Sequence, residues 1–297
     1  MTDAKQVAQD SLPLITVVIP TYNDWEDLLR CITALQEQTY PSEKYEVIVA
    51  NNNPKNTKPR WLDNFLTIKV IDVEIPGSYA ARNAALKIAT GDVIAFTDSD
   101  CTPEKDWLMQ GISHLLLGHD RVAGHVALYF ENERRSVAEL YEKIFAFQQK
   151  RNAQNGESVT ANLFTWKSLF TDVGFFDDSL MSGGDLQWNR RASKLGKTIS
   201  YAEECVVYHP TRATLKELLR KKKRISRGAV AAGLIKKSDY FIRGLVPPVF
   251  VIPRIFKTHG LTFIQKLSVF GICYLLKVYS VFQVYGYIMG LGKQTRR

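Results

Sequence analysis

The segment Thr90–Asp100 has the sequence TGDVIAFTDSD, in which an apolar run, VIAFT, leads directly into two aspartates. A short, continuous apolar run that follows a glycine turn is typical of a strand buried on both faces of a sheet. Asp98 and Asp100 then lie at the carboxyl end of this strand. Two like charges so close together are costly beside a buried strand unless a cation is near. The tripeptide predicts either a divalent cation site or an ordinary solvated turn.

The residues before this segment alternate between strand and helix patterns. Apolar runs predict strands at Ile15–Ile19, Glu46–Ala50 and Ile68–Ile71, and helical spacing predicts a helix capped by Asp24 and another from about Tyr79 to Ala89. This alternation predicts an α/β fold with a mostly parallel sheet flanked by helices. Ligands bind beyond the carboxyl ends of such strands. The informative residues are therefore those that follow each strand: Pro20-Thr21-Tyr22-Asn23, Asn51-Asn52-Asn53 and Asp98-Ser99-Asp100.

The charge of the chain is unevenly distributed. The 297 residues carry a formal net charge of +9, and 45% of them are hydrophobic, which excludes a disordered chain. Residues 1–211 contain 21 basic and 28 acidic residues, whereas residues 212–297 contain 18 basic and 2 acidic residues. We therefore predict two domains, a catalytic domain over 1–211 and a basic, apolar, helical region over 212–297.

The cysteines and the amino terminus indicate a protein that faces the cytosol. The four cysteines are spread along the chain without a CxxC pair, so we expect reduced, buried thiols and no zinc site. The first ten residues, MTDAKQVAQD, contain no apolar run after a basic segment, so we expect no signal peptide.

Five motifs occur in a fixed order along residues 14–211. They are VVIPTYND (Val17–Asp24), GSYAARNAA (Gly77–Ala85), TGDVIAFTDSD (Thr90–Asp100), GGDLQWNRR (Gly183–Arg191) and YHP (Tyr208–Pro210). As a set, they resemble the family-two glycosyltransferases, which have the GT-A fold. The resemblance implies an inverting enzyme that moves a sugar from a UDP- or GDP-linked donor to an acceptor hydroxyl with the help of Mn²⁺ or Mg²⁺.

The resemblance also implies roles for individual residues. Asp185 matches the family's general base. Three residues match positions near the metal, namely Asp98, Asp100 and His209. The positions that match nucleotide-sugar-binding residues are Pro20, Thr21, Tyr22, Asn51, Arg82, Asp98 and Ser99.

Some residues depart from the family pattern or have a simpler explanation. Asn51 stands where family members usually have an aspartate that accepts from the base, and Gly184 replaces the usual glutamate before Asp185. Asp185 can also serve as a helix cap. Core packing is the default expectation for Trp166 and Trp188, although they can also form a sugar platform. No QxxRW motif is present, which argues against a processive, cellulose-synthase-like enzyme.

The carboxyl-terminal region has the composition of a membrane-binding segment. Leu215–Arg227 combines seven basic residues with leucines at helical spacing, and Leu245–Phe256 and Leu267–Leu291 are apolar. Nucleic-acid-binding tails lack such runs, so we expect an anionic membrane surface and no nucleic acid. Helices in the cytosolic leaflet, a true span, and ordinary core packing all remain open, and the first is favoured. This predicts the cytoplasmic side of the plasma membrane and a lipid-linked or envelope-polysaccharide acceptor.

Three other functions fit parts of the sequence. A polyprenyl-phosphate glycosyltransferase would use the same site with a lipid phosphate as acceptor. A nucleotidyltransferase needs a glycine-rich, lysine-bearing loop after the first strand, and PTYNDWED contains neither residue. An inactive membrane scaffold would have lost catalytic carboxylates, yet Asp98, Asp100 and Asp185 are all present.

Overall fold

The computed structural model describes residues 12–65, 67–130, 133–233 and 244–291. The expectation that no signal peptide is present falls on residues 1–10, outside this part of the chain. The chain divides into two compact units. The first comprises Met1–Ala127, Gln149–Ser179 and Trp188–His209, and the second comprises Leu128–Gln148, Leu180–Gln187 and Pro210–Arg297. The division into domains at residue 211 stays a prediction.

The described strands form one mixed sheet. They are β1 Ile15–Thr21, β2 Tyr45–Asn51, β3 Ile68–Asp72, β4 Val93–Thr97, β5 Thr102–Pro103, β6 Arg121–Tyr129, β7 Asn162–Trp166 and β8 Ile199–Pro210. The order across the sheet is β3-β2-β1-β4-β7-β6-β8-β5.

The described helices are numbered in chain order. They are α1 Trp25–Gln36, α2 Ser78–Ile88, α3 Trp107–Leu116, α4 Val137–Phe145, α5 Gln149–Gln154, α6 Leu169–Val173, α7 Gly184–Lys194, α8 Leu215–Ala231, α9 Ile252–Lys257 and α10 Phe263–Ile288. Short 3-10 helices lie at Ser42–Lys44, Arg60–Asn64 and Val249–Val251.

The half of the sheet around β1 is parallel, as the sequence predicts. β1 pairs with β2 and with β4, and β2 pairs with β3, all in parallel. Strands β1 and β4 are buried along their whole length, which explains their continuous apolar runs. The other half differs, because β7 pairs antiparallel with both β4 and β6, and β5 pairs antiparallel with β8. The α/β fold class is confirmed, with a sheet that is mixed.

The two aspartates predicted as possible helix caps, Asp24 and Asp185, do not act as side-chain caps in the structure. Asp24 precedes α1, but its side chain forms no cap hydrogen bond, which corrects the sequence-based prediction. Instead, the Ser99 hydroxyl donates to Asp24 Oδ2 at 3.4 Å, so this carboxylate links the loops that follow β1 and β4. Helix α7 begins at Gly184, which places Asp185 in the first turn and not at the cap.

The second unit has its own apolar core of helices. Leu140 and Ile144 of α4 pack with Ile255 of α9 and with Val269 and Cys273 of α10. A second cluster joins α4, α8 and α10 through Ala138, Leu218 and Leu276. The opposite face of α10 stays exposed although it is apolar, with Ile264, Leu267, Leu275, Phe282 and Met289 in contact with solvent. Among the described residues, α10 is the helix that is long and apolar enough to cross a bilayer, and 28% of its most apolar window is buried.

All four cysteines are free and buried, as the sequence predicts. Cys101 directly follows Asp100, so its reactivity matters for any mechanism. Burial, together with the nearby Asp98 charge, raises the pKa of the Cys101 thiol well above its usual value. The thiol therefore stays protonated and is no candidate nucleophile.

Candidate active site

The carboxyl ends of β1, β2 and β4 lie side by side in the first unit. The β1–β2 register sets Thr21 opposite Asn51, and the Asn52 amide donates to the Thr21 carbonyl at 2.8 Å. Strand β4 lies on the other side of β1 and ends immediately before Asp98. Parallel pairing therefore brings the three predicted polar loops to one edge of the sheet.

Asp98 is held by an arginine from α2. Arg82 Nη2 donates to Asp98 Oδ1 at 2.5 Å, and the Arg82 side chain is 4% exposed. The Arg82 guanidinium also lies 5.7 Å from the centre of the Tyr79 ring. A buried, charge-assisted pair of this kind fixes the direction of the carboxylate. The family resemblance implies that Arg82 lies beside the nucleotide. In the structure, the Arg82 guanidinium forms its ion pair with Asp98.

Asp100 lies beside His209 although 108 residues separate them in the sequence. The pairing of β5 with β8 sets Thr102 opposite Tyr208, and this register brings His209 to Asp100. The His209 Nε2 atom is 3.4 Å from Asp100 Oδ2, and both side chains are almost fully buried. Two residues that the sequence assigns to a metal are thus neighbours in the folded chain.

The residues at this point fit a divalent cation. A carboxylate that is 6% exposed is unfavourable when ionised unless a cation or hydrogen-bond donors compensate it. Oxygen ligands with one imidazole suit Mn²⁺, and Mg²⁺ is usually held by one or two carboxylates together with substrate phosphates. The described residues contain no group of three or more metal-binding side chains. Asp100 and His209 are the side chains here of the kind that could hold such a cation, and they lie 3.4 Å apart.

The loop after β2 is held by its own asparagines. Asn51 is fully buried, and its amide donates to Asp72 Oδ1 at 2.8 Å and accepts from the Asn53 amide at 3.1 Å. Asn52, to which the sequence assigns no individual role, accepts from Gly77 N at 2.7 Å and so fixes the start of α2. The role of Asn51 toward a base stays a prediction.

Asp72 is an acidic group that sequence reasoning missed. It ends β3, next to Asn51 in the β2–β3 register, and pairs with Lys58 at 2.9 Å. Burial acts to raise the pKa of Asp72, but the hydrogen bonds from Lys58 and Asn51 outweigh it and leave the pKa below its ordinary value. Its position directly after the predicted strand Ile68–Ile71 was the available signal.

The remaining predicted binding residues lie at the same edge of the first unit. Pro20 and Ser99 are buried, and Tyr22 is partly exposed in the loop after β1. Thr21 is also buried, and its hydroxyl makes no hydrogen bond with any residue in the described part of the chain. A buried hydroxyl without a partner is unfavourable, so this group is available to a ligand.

Asp185 belongs to the second unit. Its Oδ1 accepts from the Leu186 amide at 2.9 Å, which orients the carboxylate within the first turn of α7. The loop before it packs directly on α8, because a Cβ atom on Gly228 would lie 2.6 Å from the Ser182 carbonyl oxygen. The backbone of α8 therefore supports the loop that carries Asp185.

Trp188 and the two arginines of α7 have structural partners. Trp188 is fully buried, stacks on Phe170 with ring centres 4.9 Å apart, and donates to the Gly174 carbonyl. It is thus a core residue, as the default expectation holds. Arg190 pairs with Glu157, and the Arg191 guanidinium donates to the carbonyls of Val173 and Phe175.

A groove of about 1000 Å³ lies at the other end of the parallel strands, where β1 and β4 begin. Leu14, Gly91 and Asp92, which precede β1 and β4, line it together with Trp166 and Phe175. None of the predicted binding, metal or base residues lines this groove. The candidate site is therefore defined by the polar residues at the carboxyl edge.

A mixed α/β sheet with acidic residues at the carboxyl ends of its parallel strands is typical of α/β enzymes that bind their ligands at those ends. The family model described as glycosyl transferase family 2 matches residues 16–171. The chain belongs to this family and is a glycosyltransferase that acts on sugar donors.

Individual relatives resemble the chain over most of its length. Glycosyltransferase AglE of Haloferax volcanii is 34% identical over 234 residues, which covers 76% of each chain. A Methanococcus voltae enzyme, dolichyl N-acetyl-alpha-D-glucosaminyl phosphate 3-beta-D-2,3-diacetamido-2,3-dideoxy-beta-D-glucuronosyltransferase, is 24% identical and covers 86% of this chain and 85% of its own.

A solved structure shares the fold. It is the mannosyltransferase PcManGT from Pyrobaculum calidifontis in complex with GDP-Man and Mn²⁺. It superposes with a TM-score of 0.57 at 18% identity, covering 96% of this chain and 77% of that chain. At this identity the likeness shows the fold alone, and the fold is the one expected from the motifs.

Proposed function

We propose that the protein is an inverting, divalent-metal-dependent enzyme that transfers a sugar from a UDP- or GDP-linked donor to a hydroxyl of a lipid-linked or envelope-polysaccharide acceptor. The observation that carries this proposal is the buried pair of Asp100 and His209, next to Asp98 and Arg82, at the carboxyl edge of the parallel strands. The solved mannosyltransferase, which holds GDP-Man and Mn²⁺, supports the choice of donor and metal. The Methanococcus voltae relative, whose name includes a dolichyl-linked sugar phosphate, supports the choice of acceptor.

The donor would lie across the ends of β1, β2 and β4. Thr21 and Tyr22 would hold the base, assisted by Pro20 and Asn51, and the free Thr21 hydroxyl supports this assignment. Asp98, oriented by Arg82, would accept from a ribose hydroxyl, with Ser99 beside it. Asp100 and His209 would hold Mn²⁺ or Mg²⁺, with Asp98 near it. Such a cation supplies positive charge at a diphosphate leaving group.

Asp185 would act as the general base in a single displacement. Its carboxylate takes the proton of the acceptor hydroxyl while that oxygen forms a bond to the anomeric carbon. The bond from this carbon to the diphosphate oxygen breaks in the same step, so the anomeric configuration inverts. No second nucleophilic carboxylate is needed.

A thermal-shift screen tests the donor class. We expect UDP or GDP, and the corresponding nucleotide sugars, to raise the melting temperature, and Mn²⁺ to enlarge this shift. Ligand at about 100 times its Kd adds roughly 2.7 kcal/mol of stability, which corresponds to a shift of several degrees. A shift with nucleoside triphosphates alone would favour nucleotidyl transfer and overturn the proposal.

The second unit would attach the enzyme to the cytoplasmic leaflet of the plasma membrane. One face of α10 is buried against α4, α8 and α9, so a bilayer can contact only its other face. Lys277 Nζ donates to the Val246 carbonyl, and the Tyr274 hydroxyl donates to the Leu245 carbonyl, both at 2.8 Å. These contacts support helices that lie in the interface over a helix that crosses the bilayer.

A vesicle-binding measurement tests this attachment. Phe250 is 76% exposed, and its ring centre lies 5.9 Å from the Lys277 ammonium. We expect Phe250→Asp to weaken binding to phosphatidylglycerol vesicles by about tenfold or more, since it replaces apolar area with charge. Leu117→Asp is the matched control, because Leu117 is 75% exposed and lies in the first unit. Resistance to carbonate extraction would instead indicate a spanning helix.

A further inference from the structure

A buried cluster of charged side chains in the second unit has no place in the mechanism above. Glu142 of α4 is 1% exposed and accepts from two cations. Lys221 Nζ donates to Glu142 Oε1 at 2.8 Å, and Arg212 Nη1 donates to the same oxygen at 3.0 Å. The Arg212 backbone amide also donates to Glu142 Oε2 at 2.8 Å.

The cluster brings cationic side chains close together. Lys221 and Arg212 both face Glu142, and Arg224 of α8 exerts a further repulsion on Lys221. Glu139, one turn before Glu142, is already bound to the Ser136 amide and the Thr211 hydroxyl. The Arg212 guanidinium binds Glu142 through Nη1, so its Nε and Nη2 groups lie outside this ion pair. An additional anion would therefore find both charge and donors here.

The protonation of Lys221 supports the same conclusion. Burial lowers the pKa of Lys221 to about 8, and repulsion from Arg212 adds to this effect, while Glu142 offsets it only in part. Because the unfolded state binds this proton more tightly, the charge destabilises the fold below about pH 8. The destabilisation decreases as the pH rises above that value. Lysines with a lowered pKa are concentrated at functional sites.

An aromatic ring lies at the cluster, and further aromatic residues lie elsewhere in the second unit. The Lys221 ammonium lies 5.2 Å from the centre of the Phe147 ring, and Phe147 has a positive φ of 46°, which is unfavourable for an aromatic residue. Arg254 lies over the Phe145 ring at 5.2 Å and donates to Gln148. Four residues before Arg254, Phe250 is exposed. A ligand that combines an anionic group with an apolar chain fits these surroundings.

We infer that Arg212 and Lys221 form a binding site for the phosphate group of a lipid, and that this lipid is the acceptor. The inference rests on the proposed function, in which the acceptor is lipid-linked. Arg212 offers the free edge of a planar guanidinium, which suits phosphate oxygens, and Lys221 offers a compact charge. Glu142 positions both cations and would not touch the ligand.

Calorimetric titration of the full chain with farnesyl phosphate tests this site. We expect the wild type to bind farnesyl phosphate more tightly than farnesol, and Lys221→Met to weaken this binding by about tenfold or more. Loss of Lys221 leaves the buried Glu142 carboxylate with Arg212 as its remaining cation, so the melting temperature of the variant is measured at the same pH to confirm that it is folded.

Two further variants separate charge from geometry. Lys216→Gln removes an exposed charge from the same helix and should leave farnesyl phosphate binding unchanged. Arg212→Lys keeps the charge but loses the planar fork, so it should weaken binding. Equal affinity of wild type and Lys221→Met for farnesyl phosphate would overturn the inference.

The source of the phosphate is distinguished by competing probes. Inorganic phosphate that binds as tightly as farnesyl phosphate would show that the lipid assignment is wrong, as would displacement of farnesyl phosphate by phosphatidylglycerol vesicles at equal phosphate concentration. The donor screen is run on the same variants, and Lys221→Met should keep its nucleoside diphosphate shift. If nucleotides bind and farnesyl phosphate does not, the inference fails while the proposed function stands.

Discussion

Replacing Asp185 with asparagine is expected to leave donor binding unchanged and to lower kcat for sugar transfer by about 100- to 10,000-fold, the usual contribution of a general base. Asparagine has the same shape, and its amide oxygen can still accept from the Leu186 amide, as Asp185 Oδ1 does at 2.9 Å. It cannot take a proton from the acceptor hydroxyl. The loss should therefore fall on the chemical step.

The measurement is the release of nucleoside diphosphate from the donor found in the thermal-shift screen, with a polyprenyl phosphate or its glycosylated form as acceptor. Asp177→Asn is the matched control, because Asp177 is also a loop aspartate, and its carboxylate accepts from the Ser179 amide and hydroxyl. This control should transfer sugar at the wild-type rate. Retention of wild-type turnover in Asp185→Asn would exclude Asp185 as the base.

A second consequence concerns the loop that carries Asp185. The Ser182 carbonyl approaches the α8 backbone so closely that any side chain on Gly228 would displace one of them. The sequence predicts α8 as a membrane-binding helix, and the structure shows that the same helix also supports the candidate base. The buried hydrogen bond between the Ser226 and Ser280 hydroxyls, 2.6 Å long, connects α8 in turn to α10. The loop that carries Asp185 and the helices proposed to bind a membrane thus pack together within the second unit.

The parallel strands could be predicted from the sequence because each one carries its own signal. Strand β4 is observed at Val93–Thr97, where the apolar run lies, and β1 and β2 extend the predicted strands by one or two residues at their ends. A strand buried on both faces must be apolar throughout, so local composition is sufficient. In a parallel sheet the loops that follow neighbouring strands lie at the same end. The sequence therefore predicts that Thr21, Asn51 and Asp98 lie close together.

The contacts within the site depend on pairings between distant residues and had no local signal. Arg82 and Asp98 come from a helix and a loop, and their hydrogen bond requires α2 to pack against the sheet. The contact of Asp100 with His209 requires the antiparallel pair of β5 and β8, which composition does not indicate. The Glu142 cluster was missed because its members come from α4, α8 and the segment before α8, and no local pattern links residues so far apart in the chain. The order of the motifs along the chain identifies the candidate site residues. Which of these residues contact each other follows from the fold.

Replacing Asp100 with alanine is expected to abolish the effect of Mn²⁺ on nucleoside diphosphate binding. Loss of a metal ligand should weaken metal-dependent binding by at least the tenfold or so that loss of an outer-shell partner costs. The reason is the position of Asp100, whose buried carboxylate lies 3.4 Å from His209 Nε2 at the edge where the diphosphate is proposed to bind. The quantity to measure is the Kd of the nucleoside diphosphate by calorimetry, with Mn²⁺ and with a chelator.

The control for this variant lies at the other end of the same strand. Asp92 directly precedes β4, accepts a hydrogen bond from the Leu14 amide, and lines the groove at the other end of the parallel strands. Asp92→Ala should therefore keep the full difference in Kd between Mn²⁺ and chelator. His209→Ala should lose part of this difference, because Asp100 remains to hold the cation. If Asp100→Ala binds nucleoside diphosphate with the same Kd as the wild type in both conditions, the metal is held elsewhere, and the pair of Asp100 and His209 is a structural ion pair.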